Sequence, residues 1–335
     1  MNPLRFGLIG FGAMGRNHAR VLQATDGVVL AGVADPESDG STLPDTVRFF
    51  TEVEALLAHG IDACVVAAPT SLHERLGLQL AEAGVHALVE KPLAGDTVAA
   101  RRVCDAFESR GLVGAVGHIE RYNAALQHLH QRLAAGELGD VFQISTRRIG
   151  PYPQRIRDAG VVMDLATHDL DLTAWLAGAS FRSVGAQAVN TIRTEHEDLV
   201  VVSGQLTDGT ITNHLVNWMS PMKERTTTVT GERGTFVADT LTEDLTLYSS
   251  GHVTAEWDAI ARLRGVSEGE VRRFAFPTPE PLAVEIAAFR DAILGDGDDI
   301  VTMRSGLACV TVAEAVLDSV RTGKTVDLPG EAATL

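Results

Sequence analysis

The residues best suited to chemistry are a lysine, an aspartate and a histidine that lie far apart in the sequence. Lys91 stands in Glu90-Lys91-Pro92 directly after an apolar run. A lysine there can donate a hydrogen bond to a reacting hydroxyl and stabilise developing negative charge. Asp164 and His168 are four residues apart, which predicts one shared helical face. Because histidine titrates near neutral pH and a carboxylate stabilises its charged form, this pair predicts a general base.

Each motif also has a purely structural interpretation. A lysine before a proline is commonly an exposed residue at a turn. An aspartate four residues before a histidine is commonly a helix-capping residue beside a core histidine. Neither motif decides between chemistry and structure when it is considered alone.

A glycine-rich stretch near the start of the sequence predicts a dinucleotide site. Leu4 to Ile9 predicts a strand, Ala13 to Leu22 predicts a helix, and the pattern G-x-G-x-x-G lies between them. In that context the glycines permit a tight turn, close approach of a pyrophosphate, and close packing of helix on strand. The helix N-terminus attracts the phosphates. We therefore expect the cofactor to contact Gly10, Phe11, Gly12, Ala13, Met14 and Gly15.

Asp35 indicates which dinucleotide is bound. It follows a second predicted strand, Val28 to Ala34, and lies 20 residues after Gly15. An acidic residue at about this distance accepts hydrogen bonds from the ribose hydroxyls. It also repels a 2′-phosphate, and no Arg or Lys follows before Arg48. NAD is therefore predicted in preference to NADP, the alternative being a structural turn followed by a surface aspartate.

Composition and charge limit the class of protein. The 335 residues suggest two domains, and 45% hydrophobic with 21% charged residues is typical of a soluble globular protein. No apolar run is as long as a membrane span, and the net charge of −16 argues against nucleic acid or an anionic membrane as partner. No secretory signal is visible, so we expect a cytoplasmic protein. The three separated cysteines predict no zinc site or disulfide framework, and we expect no metal.

The secondary-structure pattern changes near residue 118. Before it, strands and helices alternate, which predicts an α/β Rossmann domain over 1–118 with a doubly wound parallel sheet. One departure is the stretch 36–46, which is rich in Pro, Gly, Ser and Asp where such a fold normally has a crossover helix. Ligands bind at the carboxyl ends of the strands in this fold, so Lys91 is expected near the nicotinamide.

The remainder, 119–335, predicts an α+β domain for substrate binding and oligomerisation. Ala124 to Ala135 and Val162 to Leu176 predict helices, and β-rich runs follow from Phe181 to Trp257. Turn signals at 207–210, 220–223 and 231–234 predict a large, mostly antiparallel open sheet. Terminal helices are expected within 282–321.

These motifs, in this order, resemble the glucose-fructose oxidoreductase/inositol dehydrogenase (Gfo/Idh/MocA) family. The resemblance covers nearly the whole chain and rests on the glycine turn, Pro69-Thr70-x-x-His73, Gly84-Val85-His86, Glu90-Lys91-Pro92, Asp164-x-x-x-His168 and Ser319-x-x-x-Gly323-Lys324-x-Val326. It implies NAD(P)-dependent oxidation of a ring hydroxyl, in which His168 takes the proton and C4 of the nicotinamide takes the hydride. It further implies catalytic Lys91, Asp164 and His168, and a homodimer or homotetramer built through the open sheet. We also expect cofactor contacts from Pro69, Thr70, His73, Glu90 and Lys91.

A narrower resemblance concerns the substrate. The stretches 117–123 (GHIERYN), 147–157 (RRIGPYPQRIR) and 160–164 (GVVMD) look like the branch that oxidises the sugar 3″-hydroxyl of UDP-N-acetylhexosamines. Arginine suits phosphate oxygens, and four arginines fall within 147–157: Arg147, Arg148, Arg155 and Arg157. Tyr152 can stack on a base. The alternative is a solvated basic loop, or arginines paired with the protein's own acidic residues.

The sequence therefore predicts an NAD-dependent dehydrogenase that oxidises a ring hydroxyl of a nucleotide-linked sugar. The expected substrate contacts are Lys91, His118, Arg121, Asn123, Arg148, Tyr152, Arg155, Asp164 and His168. The open enzymatic alternatives are a dehydrogenase of a free sugar, a sugar phosphate or a cyclitol, and a ketosugar reductase. The non-enzymatic alternative is an NAD-sensing regulatory protein, against which the intact set of Lys91, Asp164 and His168 argues.

Overall fold

The structure is a computed structural model that describes residues 2–152, 159–191, 196–251 and 267–329. The chain forms two compact units, each with its own sheet. Unit 1 comprises Met1–Tyr122 and Pro279–Glu314. Unit 2 comprises Asn123–Thr278 and Ala315–Leu335.

Unit 1 contains a six-stranded parallel sheet. Its strands are β1 Leu4–Ile9, β2 Val28–Ala34, β3 Arg48–Phe50, β4 Ala63–Val66, β5 His86–Glu90 and β6 Gly114–Gly117. Their spatial order is β3-β2-β1-β4-β5-β6. This is the order of Rossmann folds, in which the topological switch point lies between β1 and β4. The predicted doubly wound sheet is confirmed.

Helices cover both faces of this sheet. The first four are α1 Ala13–Ala24, α2 Val53–Ala58, α3 His73–Glu82 and α4 Thr97–Glu108. Because strand side chains alternate, Val66 packs with Leu76 of α3 on one face, whereas Val65 packs with Leu22 of α1 on the other. Burial on both faces explains why β4 is apolar throughout.

No helix joins β2 to β3, as the composition of 36–46 predicts. The connection is held by short local hydrogen bonds instead. Asp35 Oδ1 accepts the N–H of Glu37 at 2.7 Å, and Asp39 Oδ1 accepts the N–H of Ser41 at 2.9 Å. Aspartate side chains that bind the backbone two residues on favour turns over helices.

Unit 2 contains a nine-stranded sheet. Its strands are β7 Val141–Pro151, β8 Phe181–Val189, β9 Leu199–Leu206, β10 Ile211–Asn217, β11 Met219–Gly231, β12 Gly234–Asp239, β13 Asp244–Gly251, β14 Ser267–Phe274 and β15 Val326–Asp327. The spatial order is β14-β13-β12-β11-β7-β10-β9-β8-β15. All neighbouring pairs are antiparallel except β7 and β10, which run parallel. The predicted, mostly antiparallel sheet is confirmed.

One predicted turn in this sheet is wrong. Residues 207–210 and 231–234 do connect neighbouring antiparallel strands, but 220–223 lies within β11. Pairing of β11 with β7 is irregular there, with a register shift between Met219 and Glu224. Pro221 cannot donate a backbone hydrogen bond, so the strand departs from its ladder locally without reversing direction.

One face of the unit 2 sheet is covered by α5 Ala124–Ala134 and α6 Thr167–Ala177. Leu126 and Leu172 from these helices pack with Ile144 of β7 and Phe236 of β12. The opposite side chains stay accessible, among them Val201 and Ile211. The sheet is therefore open on one face, as predicted.

The chain returns to unit 1 after the large sheet. Helix α7 Pro281–Leu294 places Leu282, Ile286 and Phe289 in one cluster with Phe6 of β1. The next helix, α8 Met303–Thr322, begins in unit 1 and ends in unit 2. The sequence division at 118/119 places 282–321 entirely in the second domain. The compact units assign 279–314 to the first, because α7 buries its apolar side chains there.

Two kinds of feature are absent from the part of the chain that the structure describes. No helix in it has the length and apolar character needed to cross a membrane. No group of three or more histidine, cysteine, aspartate or glutamate side chains in it is arranged to hold a metal ion.

Candidate active site

The glycine turn of unit 1 has the shape that a dinucleotide requires. Gly10 has φ of +91°, and a Cβ at Gly15 would lie 2.0 Å from the Gly10 carbonyl oxygen. Only glycine permits this approach of α1 to the turn. A Cβ at Gly12 would meet nothing within 4 Å, so that position is open to a ligand. A pyrophosphate can therefore reach the N–H groups of the first turn of α1, and these residues fit a bound dinucleotide.

Asp35 joins the glycine turn to the loop that follows β2. Its Oδ2 accepts the N–H of Phe11 at 2.5 Å, and its Oδ1 accepts those of Glu37 and Ser38 at 2.7 and 3.1 Å. An ionised carboxylate has about four acceptor positions, so Oδ2 retains capacity for a ribose hydroxyl. With Glu37 and Asp39 close by in sequence, a 2′-phosphate would meet further negative charge.

Three of the predicted cofactor contacts follow β4, namely Pro69, Thr70 and His73. Of these, His73 is held by contacts within the protein. Pro69 is exposed and Thr70 half-buried at the start of a short 3-10 turn, Thr70–Leu72. His73 is buried at the start of α3, where Nδ1 lies 2.8 Å from the carbonyl oxygen of Pro92 and Nε2 lies 2.9 Å from that of Ala68. Burial lowers the pKa of His73 despite these carbonyl groups. His73 therefore links the ends of β4 and β5.

The Glu90-Lys91-Pro92 segment follows β5 with a cis Lys91–Pro92 peptide bond. Lys91 is half-buried, and its backbone N–H donates to Glu90 Oε2 at 3.2 Å. The other Glu90 oxygen, Oε1, lies 2.8 Å from Nε2 of His18, which is buried in α1. Burial acts to raise the pKa of Glu90, but His18 and Lys91 outweigh it and lower that pKa.

Three expected substrate contacts lie where β6 leads into unit 2. His118 and Arg121 are buried in unit 1. Asn123 is the N-cap of α5, where Oδ1 accepts the N–H of Ala125 at 3.0 Å and Nδ2 donates to the Thr240 carbonyl at 3.4 Å. Asn123 therefore has a capping function, whether or not it also contacts a substrate.

Asp164 and His168 lie in unit 2 on a helix with an irregular first turn. Residues Val162–Ala166 form a π-helical turn that leads directly into α6. Asp164 belongs to the π turn, whereas His168 belongs to the first turn of α6, and both are half-buried. Single π turns widen a helix and are frequent at functional sites. The predicted helix is present, but the pair spans the junction between two helical geometries.

Glu197 fixes the start of this helix. Its Oε1 accepts the N–H of Val162 at 2.9 Å, and its backbone oxygen accepts that of Val161 at 2.9 Å. A Cβ at Gly160 would lie 2.1 Å from the same Oε1. A side chain at position 160 would therefore have to displace the Glu197 carboxylate from Val162.

Arg148 holds α6 against β7. Its Nε donates to Asp169 Oδ2 at 3.0 Å, and the two side chains are only 4% and 2% exposed. Asp169 follows His168 directly. This buried ion pair therefore joins the middle of the sheet to the helix turn that carries the predicted base.

The remaining arginines of the cluster differ in environment. Arg147 points to the open face of the sheet, is 47% exposed, and donates to Glu224 at 3.0 Å. Arg155 and Arg157 lie outside the described residues. Tyr152 is half-buried and meets Trp218 edge-to-face, with ring centroids 5.6 Å apart. Arg147 and Arg148 are thus both paired with acidic residues of the chain itself.

Sequence reasoning missed three residues whose contacts hold the segments that carry the candidate catalytic groups. They are His18, Asp169 and Glu197. Two signals were available: a histidine among the apolar residues of α1, and an aspartate directly after His168. Their partners lie 72 and 21 residues away in the sequence, and local spacing does not reveal such pairs.

Comparison with known protein families agrees with this geometry. Residues 4–118 match the oxidoreductase family with an NAD-binding Rossmann fold, and residues 126–237 match the GFO/IDH/MocA C-terminal domain. The chain belongs to the Gfo/Idh/MocA family. The predicted NAD-binding Rossmann domain and the predicted oxidoreductase class are confirmed at the level of the family.

The chain is similar to the UDP-N-acetylglucosamine 3-dehydrogenase of Acidithiobacillus ferrooxidans. The two sequences are 38% identical over 219 residues, which is 64% of this chain and 66% of the relative, just under two thirds of its length. A solved structure of that protein superimposes with a TM-score of 0.83 and covers 96% of this chain and 98% of its own. The predicted resemblance to this branch is confirmed.

Two further similar proteins have different names. The WlbA dehydrogenase of Bordetella pertussis, solved with NADH and UDP-GlcNAcA, is 25% identical over 98% of this chain and 99% of its own, with a TM-score of 0.80. The inositol 2-dehydrogenase of Corynebacterium glutamicum is 25% identical over 64% of this chain and 67% of the relative. Similar chains in this family are thus named for nucleotide sugars and for a cyclitol.

Proposed function

We propose that this protein is an NAD-dependent dehydrogenase that oxidises a ring hydroxyl, at C3, of a nucleotide-linked sugar such as a UDP-N-acetylhexosamine. The observation that carries the proposal is the joint presence of a fitted dinucleotide turn, Lys91 at the carboxyl end of β5, and the Asp164/His168 helix. The similarity to a UDP-N-acetylglucosamine 3-dehydrogenase supports the choice of substrate.

The proposed roles follow from side-chain chemistry. His168 takes the proton of the reacting hydroxyl, and Asp164 stabilises the charged histidine. Lys91 donates a hydrogen bond to the same oxygen and stabilises the negative charge that develops on it. NAD, when bound, accepts the hydrogen on carbon as a hydride. Its expected contacts are the glycine turn, Asp35, Pro69, Thr70, Glu90 and Lys91.

The proposed contacts with sugar, phosphate or base are His118, Arg121, Asn123, Arg148, Tyr152 and Arg155. Arg148 and Asn123 already have partners within the chain, so any contact they make with substrate has to coexist with the Asp169 ion pair and the α5 cap.

A homodimer or homotetramer through the open sheet is part of the proposal. The exposed face carries Val201 and Ile211 together with polar side chains. Gln143 donates to Asn213 at 2.7 Å, and Asn213 donates to Ser145 at 2.8 Å, so these polar groups are ordered across β7 and β10. A cytoplasmic location is also proposed, and the three buried free cysteines fit a reducing compartment.

The first test is a substrate panel with the full-length protein. Absorbance of the reduced nicotinamide is followed with NAD and either UDP-N-acetylglucosamine, other UDP-hexoses, a hexose phosphate, glucose or myo-inositol. Turnover with the UDP-sugars alone is the expected result. Turnover with uncharged polyols alone would support a cyclitol or sugar dehydrogenase, a candidate favoured by the internal pairing of Arg147 and Arg148.

Two substitutions test the assigned roles. Lys91→Ala and His168→Ala should each lower kcat by about 10²–10⁴-fold, the usual contribution of a positioned proton-transfer or charge-stabilising group. The Kd for NAD should stay within about threefold. Lys223→Ala is the matched control, because Lys223 is one of only three lysines in the sequence and is exposed on β11. Turnover that survives both changes would refute the roles.

Absence of turnover with every substrate of the panel would direct two further tests. The reverse reaction with NADH and a ketosugar would then test the reductase alternative. NAD binding without turnover in either direction would favour the regulatory alternative, which needs no acid–base group beside the cofactor.

A further inference from the structure

Unit 1 contains a buried group of titratable side chains that the proposed chemistry does not use. His18 of α1 is 0% exposed, and its Nε2 lies 2.8 Å from Oε1 of Glu90. The second Glu90 oxygen accepts the backbone N–H of Lys91. One carboxylate therefore joins α1 to the residue expected to contact the reacting oxygen.

The strand next to β5 restricts where this carboxylate can lie. Glu90 pairs with Gly117 of β6, and a Cβ at position 117 would lie 3.1 Å from both Cδ and Oε2 of Glu90. That distance is tighter than ordinary van der Waals contact. The absence of a side chain at 117 thus leaves space for the Glu90 carboxylate between β6 and α1.

Glu285 is the second unusual member of the group. It lies on α7, is 1% exposed, and neither carboxylate oxygen has a hydrogen-bond partner within the described residues. A buried carboxylate with no partner is costly, so such a group takes up a proton. Burial and the negative charge of Glu90 both raise the pKa of Glu285 well above its usual value.

The surroundings of Glu285 contain few charges of opposite sign. Helix α7 packs against α1, against the Ile119–Tyr122 turn and near Glu90. The titratable groups of these elements, besides Glu285 itself, are Arg16, His18, Arg20, Glu90, Glu120, Arg121, Tyr122, Arg290 and Asp291. Arg20 binds Glu280 at the protein surface, and burial together with the charges of Glu285 and Asp299 raises the pKa of Tyr122. The two pKa shifts thus run in opposite directions, which favours the negative charge on Glu90 and the proton on Glu285.

We propose that His18 and Glu285 are positioning residues of the reaction, which act on Lys91 through the carboxylate of Glu90. His18 fixes the orientation of the Glu90 carboxylate through Oε1. The other oxygen of that carboxylate, Oε2, binds the backbone N–H of Lys91 and fixes its position. Glu285, while neutral, leaves Glu90 as a single charge beside the lysine. The proposal rests on the proposed function only in assigning Lys91 to the reacting oxygen.

A matched pair of His18 variants separates positioning from packing. His18→Gln keeps an N–H donor near the place of Nε2, whereas His18→Leu keeps the bulk and removes the donor. In His18→Leu, we expect kcat to fall about 10–100-fold, since small misplacements of a catalytic group cost up to about 10²-fold. The KM should stay within about threefold of the wild-type value. The Kd for NAD should not change, and His18→Gln should restore most of kcat. Equal kcat in wild type and His18→Leu would overturn the proposal.

A second readout needs no substrate. The chain has three lysines, Lys91, Lys223 and Lys324, and the last two are exposed internal standards. An amine-reactive anhydride followed by peptide mass spectrometry gives the modification rate of Lys91 relative to both. In His18→Leu the Glu90 carboxylate loses the contact that fixes it, so the segment that carries Lys91 should become more accessible to the reagent. We expect at least a threefold faster relative rate, with His18→Gln like wild type, and an unchanged rate would refute the positioning role.

Glu285→Gln tests the other residue. Because an amide cannot ionise as the pH rises, the alkaline limit of the kcat profile should move to higher pH. Glu280→Gln, at the exposed start of α7, is the control and should leave the profile unmoved. Coincident profiles of wild type and Glu285→Gln would remove Glu285 from the proposal. If wild type turns over no substrate, the proposed function fails while lysine modification still decides the role of His18.

Discussion

Lys91 and His168 are the two central groups of the proposed reaction, and different kinds of contact fix them. Lys91 follows a strand of a sheet that is buried on both faces, and the carboxylate of its own neighbour, Glu90, binds its backbone. His168 lies on a helix that covers one face of an open sheet. The buried Arg148–Asp169 pair and the carboxylate of Glu197 hold that helix in place.

Lys91 and His168 differ in which part of the structure these contacts fix. In unit 1 the contacts act on the backbone of Lys91, and its side chain remains half-buried. In unit 2 the contacts act on a whole helix turn, through an arginine that reaches it from β7. We expect substitutions around Lys91 to change chemistry more than stability, and substitutions around His168 to change both.

The largest stability effect is expected from Arg148. Arg148→Met and Asp169→Leu each break the buried ion pair by removing one of its charges, which costs about 3–5 kcal/mol of unfolding free energy. The double variant Arg148→Met/Asp169→Leu should lose less than the sum, because an apolar pair leaves no buried charge. Chemical denaturation of the four proteins gives this cycle.

Kinetics of the same variants decide what Arg148 does. If it positions α6, Arg148→Met lowers kcat. If it binds the substrate phosphate instead, the KM for a UDP-sugar rises with kcat unchanged. Single variants that lose less than about 1 kcal/mol would contradict the account of a buried structural pair.

The contrast also explains what the sequence could predict. The order of strands and helices in unit 1, the Rossmann sheet and the loop at 36–46 follow from local signals: apolar runs, glycine spacing and turn residues. The environment of Arg148 does not. An arginine in a run of arginines predicts phosphate binding equally well whether its strand turns it inward or outward, and only pairing of β7 with its neighbours fixes that direction.

The same limit applies to 220–223 and to α7. A Ser-Pro-Met-Lys sequence predicts a turn from its local chemistry, but pairing on either side keeps it within β11. Helix α7 has a recognisable apolar pattern, yet nothing local tells which sheet its Leu282, Ile286 and Phe289 will contact. Long-range packing, not local propensity, determines the structure of 220–223 and the position of α7.

Substitution of Gly12 and of Gly15 in the cofactor turn should separate NAD binding from folding stability. Gly15→Ala adds a Cβ that would lie 2.0 Å from a backbone oxygen, so we expect a loss of about 1–3 kcal/mol, as for overpacked sites. Gly12→Ala meets nothing within 4 Å and should leave the melting temperature unchanged. Its Kd for NAD should rise at least fivefold, because the methyl group occupies the space of the pyrophosphate. Equal Kd values in Gly12→Ala and wild type would place the dinucleotide elsewhere.

The pH dependence of stability tests the buried acid of unit 1. The folded-state pKa of Glu285 lies above its unfolded value of about 4.3, so its contribution to stability is complete below that value and is lost as pH rises. Relative to wild type, Glu285→Gln should therefore gain up to about 1.4 kcal/mol per pH unit above about pH 5, until Glu285 ionises in the folded protein. Denaturation at pH 5, 6, 7 and 8 measures the slope. A difference that is constant with pH would show that Glu285 is not buried as an acid.

The smallest effect on stability is expected from Arg147, the neighbour of Arg148. Arg147 and Arg148 are neighbours on β7 that face opposite sides of the sheet, and the exposed Arg147–Glu224 pair should contribute no more than about 1 kcal/mol. Arg147→Met should accordingly leave kcat unchanged and stability nearly so. A second copy of the chain on the open face would alter this result, because the pair would then be buried at an interface. The loss would grow, and the melting temperature would depend on protein concentration. A dilution series of wild type and Arg147→Met therefore tests the proposed oligomer together with the contrast between the two arginines.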